Sequence, residues 1–179
     1  MLLTGVKDLD TKILSELEDV DLVKMCQVNR KADEICKDQG FWLNRIMLKF
    51  PYLGLDILNR YKQGRSWSEY YIKDLRKINI DNVASTLSRE SRNGRLDRVI
   101  ISMNQGADIH SFDDYAVRWA SYNGQLDVVR YLANNGANIH ADNANAVRFA
   151  SENGHLEVVR YLVNEKVFFI LTVSKHLIF

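Results

Sequence analysis

The chain reads as an all-α protein: an N-terminal three-helix module, a linker helix, and then an α-solenoid of about three short helix pairs. Three observations predict this. A block of thirty residues recurs in the second half, apolar residues fall at helical spacing along most of the chain, and one proline among 179 residues leaves little to interrupt helices.

The repeat comes first. Tyr115 to Asn134, YAVRWASYNGQLDVVRYLAN, overlays Asn145 to Asn164, NAVRFASENGHLEVVRYLVN, with fourteen of twenty positions identical. A weaker upstream copy, STLSRESRNGRLDRVIISMNQGADIH from Ser85, keeps Asn93, Gly94, Leu96, Asp97 and Val99, and its GADIH ending returns as GANIH from Gly136. Units of this size cannot bury an apolar face alone and do so by stacking. Val147, Phe149 and Ala150 mark a first helix of the unit; Leu156, Val159, Leu162 and Val163 mark a second, packed back to back with it. Gly124 and Gly154 stand where the first helix must stop, because glycine takes a left-handed cap without a side-chain penalty. Asp127 and Glu157 fall in the first turn of the second helix, with Arg130 and Arg160 three residues on as pairing partners.

This pattern resembles the ankyrin repeat, above all in NGHLEVVRYL and NGANIHA, over roughly Asp81 to Glu165. The period is thirty residues, against about 33 in the common form. The family's Thr-Pro-Leu-His opening is replaced by Tyr115-Ala116-Val117-Arg118 and Asn145-Ala146-Val147-Arg148. The shorter unit implies a trimmed β-turn finger and resembles the ankyrin variants abundant in giant DNA viruses of amoebae, so a viral protein acting in a host cell is expected. If the stack binds a protein target, exposed non-repeating residues at the turns and first helices are the expected contacts: Phe112, Asp113, Tyr115, Tyr122 and Asn143. Trp119 and Phe149 share one repeat position and are expected to pack between layers. Arg118, Arg148, Arg130 and Arg160 form rungs that could receive acidic groups, but the stronger expectation is a solvated, self-neutralised face.

Ahead of the repeats, Leu9, Ile13, Leu14 and Leu17 line one helical face, Asp21 sits at a helix start before Leu22 and Met25, and Val28, Ala32, Ile35 and Cys36 continue the spacing. The stretch LSELEDVDLVKMCQVNRKADEICKDQGFW resembles an F-box at Leu14, Leu17, Asp21, Leu22, Val28, Arg30, Phe41 and Trp42, while the family's Leu-Pro opening aligns with Gly5 and Val6. The resemblance implies docking on the Skp-type adaptor of a cullin ubiquitin ligase through Leu9, Ile13, Leu14, Leu17 and Leu22. The alternative is that these leucines form only the internal core of a helical cap. Next, RSWSEYYIKDLRK places Trp67, Tyr70, Tyr71 and Leu75 on one face and resembles the Trp-x-x-x-Tyr helix that trails F-boxes; it is expected to join the modules and cap the first repeat. The expected boundaries are 1–50 for the helical module, 51–80 for the linker and capping helix, 81–166 for the repeats and 167–179 for an irregular apolar tail.

Composition narrows the function. A formal net charge of +1 gives no global pull toward nucleic acid or anionic membrane. The tail VFFILTVSKHLIF contains Lys175 and His176 and is shorter than the roughly 20 residues of a spanning helix. MLLTGVKDLD does not resemble a signal peptide. Cys26 and Cys36 are too few and wrongly spaced for a disulfide framework or a metal knuckle, which points to a reducing, intracellular setting: host cytoplasm, with the nucleus also open. No cofactor or metal is expected. His110 and His140 are one repeat apart, about 10 Å in a helix stack, too far to hold one ion together. No nucleophile with an oriented base and no phosphate loop can be placed. The sequence therefore predicts a non-enzymatic interaction protein, either a substrate receptor of a ubiquitin ligase or an ankyrin scaffold or decoy that recruits none.

Overall fold

A computed structural model of the chain describes residue 3 and residues 7–76 and 83–164, with Val83 and Asn143 described by backbone alone. The Gly5–Val6 opening and the apolar tail lie outside the described residues. Every regular element among the described residues is helical, and the chain divides into two compact units, Met1–Ile78 and Asn79–Phe179.

The first unit opens with α1 (Lys7–Glu16), α2 (Asp19–Val28), α3 (Arg30–Cys36) and α4 (Gln39–Lys49), one helix more than the three apolar stretches of the sequence. Its joints are short because single residues serve two helices. Asn29 ends α2 through its N–H to the Met25 carbonyl (3.0 Å), and its side chain accepts from the Lys31 and Ala32 amides that open α3. Asp38 caps α4 by accepting from the Gly40 amide at 2.8 Å. Residues after Pro51 fold into the same unit. α5 (Leu55–Lys62) is followed by α6 (Trp67–Tyr70), whose Ser66 and Glu69 form a capping box, and the chain continues into a π-helical turn, Tyr71–Leu75. Trp42, Tyr70, Tyr71 and Leu75 are buried, with the Trp42 and Tyr71 rings 5.6 Å apart.

The cysteine expectation is corrected. Cys26 near the end of α2 and Cys36 at the end of α3 are bonded, sulfur to sulfur at 2.01 Å. Ten residues of separation are enough once the chain reverses at Asn29 and brings the two helix ends together, which spacing along the sequence does not reveal. The cysteines therefore no longer argue for a reducing compartment.

In the second unit, α7 (Val83–Arg92), α9 (Ser111–Tyr122) and α11 (Ala141–Glu152) are the first helices of three repeats; α8 (Leu96–Asn104), α10 (Leu126–Asn134) and residues 156–164 are the second helices. α9 packs against both α7 and α11. Small buried residues at matching positions, Ala116 and Ala120 in α9 and Ala146 and Ala150 in α11, permit that close approach, while Val128, Val129, Leu132, Val158 and Leu162 fill the second-helix layer. Each first helix ends in one motif. The Gly124 N–H returns to Ser121 O and the Gln125 N–H to Ala120 O, and the same bonds recur at Gly94 and Gly154. Gly124 has φ +70°, and a Cβ there would lie 2.5 Å from the His155 ring of the next repeat, so both backbone sign and stacking demand glycine.

Candidate protein-interaction surface

The repeat openings are the least expected part of the backbone. Phe112, Asp113 and Asp114 have φ of 55°, 54° and 56°, a single left-handed turn at the head of α9, and Asp142 and Ala144 repeat it at the head of α11 with φ of 51° and 60°. Left-handed residues with side chains cost about 1–2 kcal/mol each and persist where surroundings over-determine them. Here they do. Arg118 donates to the Phe112 carbonyl at 2.8 Å and, through its other terminal nitrogen, to Asp142 of the next repeat at 2.8 Å. The buried Asp114 carboxylate accepts from the Asn138 amide at 2.7 Å and pairs with His110 Nδ1 at 3.0 Å. A charged lattice thus fixes the turns where a longer finger was expected to be trimmed.

These turns set the start of a row of rings. Phe112, Tyr115, Trp119, Tyr122 and Phe149 follow one another with centroids 6.5, 5.5, 5.1 and 5.9 Å apart. The spacing of four and three residues from Tyr115 through Trp119 to Tyr122 puts the α9 members on one helix face. Phe112 is 70% exposed, and Tyr115 and Tyr122 are also exposed. Trp119 and Phe149 are half-buried, so they belong to the row as well as to the packing between repeats. Guanidinium groups lie over this row: Arg92 over Trp119 at 4.9 Å, Arg118 over Tyr115 at 5.6 Å and Arg148 over Phe149 at 4.9 Å. Exposed aromatic and arginine side chains on a rigid scaffold are the composition that dominates protein–protein hot spots.

Of the target-binding residues expected from sequence, Phe112, Tyr115 and Tyr122 are brought together in the row, and Asp113 is exposed beside Phe112 in the left-handed turn. The Asn143 side chain lies outside the described residues. The half-burial of Trp119 and Phe149 agrees with the expected packing between repeats, and the same rings join the row; Arg92 carries no such signal in the sequence, because it comes from another repeat and packing brings it near. The rungs of arginine are largely self-neutralised: Arg118 by Asp142, Arg148 by Glu152, with a further hydrogen bond to Asn145, and Arg160 by Glu157.

In the first unit the five leucine-face residues separate by burial. Leu14 and Leu22 are fully buried and hold the unit together, Ile13 and Leu17 are half-buried, and Leu9 is exposed. Val20, Val28 and Leu48 add exposed aliphatic surface, Val28 being 82% accessible. The end of α1 is fixed by Arg45, which reaches Ser15 O at 2.8 Å, Leu17 O at 2.6 Å and Asp19 Oδ1 at 2.8 Å. Lys49 joins Asp19 at 2.8 Å, and the Tyr71 hydroxyl also donates to it. Burial pushes the Asp19 carboxyl up, but hydrogen bonds from Lys49, Tyr71 and Arg45 outweigh it and hold the group below its ordinary value. Burial lowers the Lys49 ammonium, yet its bonds to Asp19 and Tyr71 leave it raised; burial and then the Asp19 contact raise the Tyr71 phenol. This cluster positions helices, and its Arg45 and Lys49 also line a surface cleft with Leu17 and Leu48.

No group of three or more His, Cys, Asp or Glu side chains among the described residues could hold a metal ion. His110 is engaged by Asp114, and His155 Nε2 lies 2.9 Å from Tyr122 O, joining two repeats. No described helix is long and apolar enough to cross a membrane. No curated protein matches the chain. Residues 87–171 match the family model described as ankyrin repeats (3 copies), a repeat type that indicates protein–protein interaction.

Proposed function

We propose that the chain is a two-part adaptor: the ankyrin unit captures a target protein through the ring row from Phe112 to Phe149, and the first unit docks on the Skp-type adaptor of a cullin ubiquitin ligase. The observation that carries the first half is the row itself, five rings of which Phe112, Tyr115 and Tyr122 are exposed, starting at a left-handed turn and crossed by arginines. Burying such rings and excluding water around them is what concentrates binding energy in few residues. The second half is supported by the F-box resemblance and by the aliphatic residues Leu9, Val20, Val28 and Leu48 that the first unit leaves at its surface. Leu9, Ile13 and Leu17 are the docking residues in this reading, with Leu14 and Leu22 behind them as support. In the giant-virus setting implied by the thirty-residue period, both partners would be host proteins.

Each half has its own test. Photo-crosslinking from Tyr122 in the intact chain should trap a protein, and the Tyr115→Ala, Tyr122→Ala double variant should lose the target captured by the unmodified chain. Retention of that target by the folded double variant would refute the ring row. For the first unit, the Skp adaptor should co-purify with the intact chain and not with Leu9→Asp, Leu17→Asp, with circular dichroism confirming that the variant is folded. No adaptor with either version leaves the second reading, an ankyrin scaffold or decoy without ligase recruitment.

A further inference from the structure

Between the first helices of repeats one and two, Ser88, Arg89 and Arg92 of α7 face Phe112, Tyr115 and Trp119 of α9 across a cleft of about 440 Å³, within the usual range for ligand pockets. Its two walls differ in kind. The α9 wall is aromatic. The α7 wall carries two guanidinium groups three residues apart, hence on one helix face. Arg89 pairs at 2.9 Å with the buried Glu90, which Arg98 also engages at 3.2 Å, so one carboxylate is divided between two arginines. Arg92 is exposed, stacks 4.9 Å over Trp119 and has no carboxylate partner among the described residues. Neighbouring arginines are spent elsewhere: Arg118 on Asp142 and the Phe112 carbonyl, Arg148 on Asn145 and Glu152. The nearby Asp114 is buried and occupied by Asn138, and Asp113 is not part of the cleft lining.

On the reading of the second unit as a protein-binding stack, we propose that this cleft takes an extended acidic segment of the partner, with an apolar side chain seated on Tyr115 and Trp119 and an adjacent carboxylate held by Arg92. Stacking occupies the face of a guanidinium and leaves its N–H edges pointing outward, the geometry that receives a carboxylate in paired hydrogen bonds. The apolar floor excludes water from that pair and strengthens it. The positive excess is local to the cleft, since the whole chain carries a net charge of only +1, and this disfavours a nucleic-acid strand as occupant.

The test uses the full chain and short synthetic peptides with a central Leu or Phe flanked by Glu, Gln or Lys, with binding read by fluorescence anisotropy. Glu-flanked peptides should bind tighter than Gln-flanked ones by about tenfold or more, the range of a hydrogen bond to a charged group. Arg92→Glu should abolish that preference and favour Lys flanks, Arg130→Glu on α10 should leave it intact, and Trp119→Ala should weaken Glu- and Gln-flanked peptides alike. Equal binding of Glu and Gln peptides, no binding of any set, or an undiminished preference in Arg92→Glu overturns the proposal. If the peptides fail while the crosslink from Tyr122 persists, the acidic-segment inference falls and the protein-binding reading stands. Loss of both removes both.

Discussion

The two units reach stability by opposite routes. In the second, one solution is reused: the same glycine turn ends the first helix of all three repeats, and the same small alanines and second-helix aliphatic positions recur in the last two. Each repeat is completed by its neighbour, as where His155 of one repeat lies against Gly124 and Tyr122 O of the one before. In the first unit nothing repeats. Its helices are tied by single devices, namely Arg45 across three chain segments, the Cys26–Cys36 bond and the Trp42–Tyr71 contact, each made once. A periodic unit spreads damage to its neighbours, whereas a unit built of singular contacts fails at one residue and fails alone.

Four measurements break or sharpen that contrast. The largest effect is expected from Arg45→Ala, which leaves Asp19 without its most buried counter-ion and strips the Ser15 and Leu17 carbonyls of their donor. A loss of about 3–5 kcal/mol is expected from breaking a buried pair on one side. Hydrogen exchange should show protection lost in residues 7–76 and kept in 83–164; loss in both would contradict separate units. Next comes the cross-link: Cys26→Ser should cost about 2–3 kcal/mol in urea unfolding, the value for closing a short loop. The intact mass of the unmodified chain should lie two hydrogens below that of its free-thiol form, and a full-thiol mass would remove the bond.

Smaller losses should follow in the repeats. Gly124→Ala meets the His155 ring and a positive φ together, while Gly154→Ala meets only the positive φ, with nothing within 4 Å of the new Cβ. The backbone share is about 1–2 kcal/mol in each, so Gly124→Ala should be the worse, and its effect should reach both flanking repeats by hydrogen exchange. Equal losses would show that the inter-repeat contact carries no weight. The smallest effect is in the pH profile. Asp19 is held below its ordinary value, so its contribution is present above the unfolded carboxyl value of about 3.9 and fades as pH falls through the lower folded value. Lys49 and Tyr71 are raised, so theirs is present below about pH 10 and fades as pH climbs past it. Melting of the first unit should therefore drop at both extremes, and Asp19→Asn should flatten the acid limb.

The aromatic row shows how far a candidate surface can be seen ahead of coordinates. Phe112, Tyr115 and Tyr122 were legible because they break an otherwise repeating pattern, and departures from a repeat are where a stack differs from its neighbours. The left-handed turns were not legible: Phe112 and Ala144 are poor choices for positive φ, and the contacts of Arg118 with the Phe112 carbonyl and Asp142, and of Asp114 with Asn138, form only once the repeats stack. The leucine face of the first unit was legible as a face, but which of its members look inward and which outward was not, since helical spacing marks a stripe and not what covers it.

From sequence alone came the all-helical class, the thirty-residue unit and the positions of its turns, because periodicity and glycine chemistry act over a few residues and are written in order along the chain. Tertiary structure decided the Cys26–Cys36 bond, the Arg45–Asp19–Tyr71 cluster and the placement of Arg92 on Trp119. All three join residues from different helices, and their energies depend on distance and burial, quantities that exist only once the chain has folded.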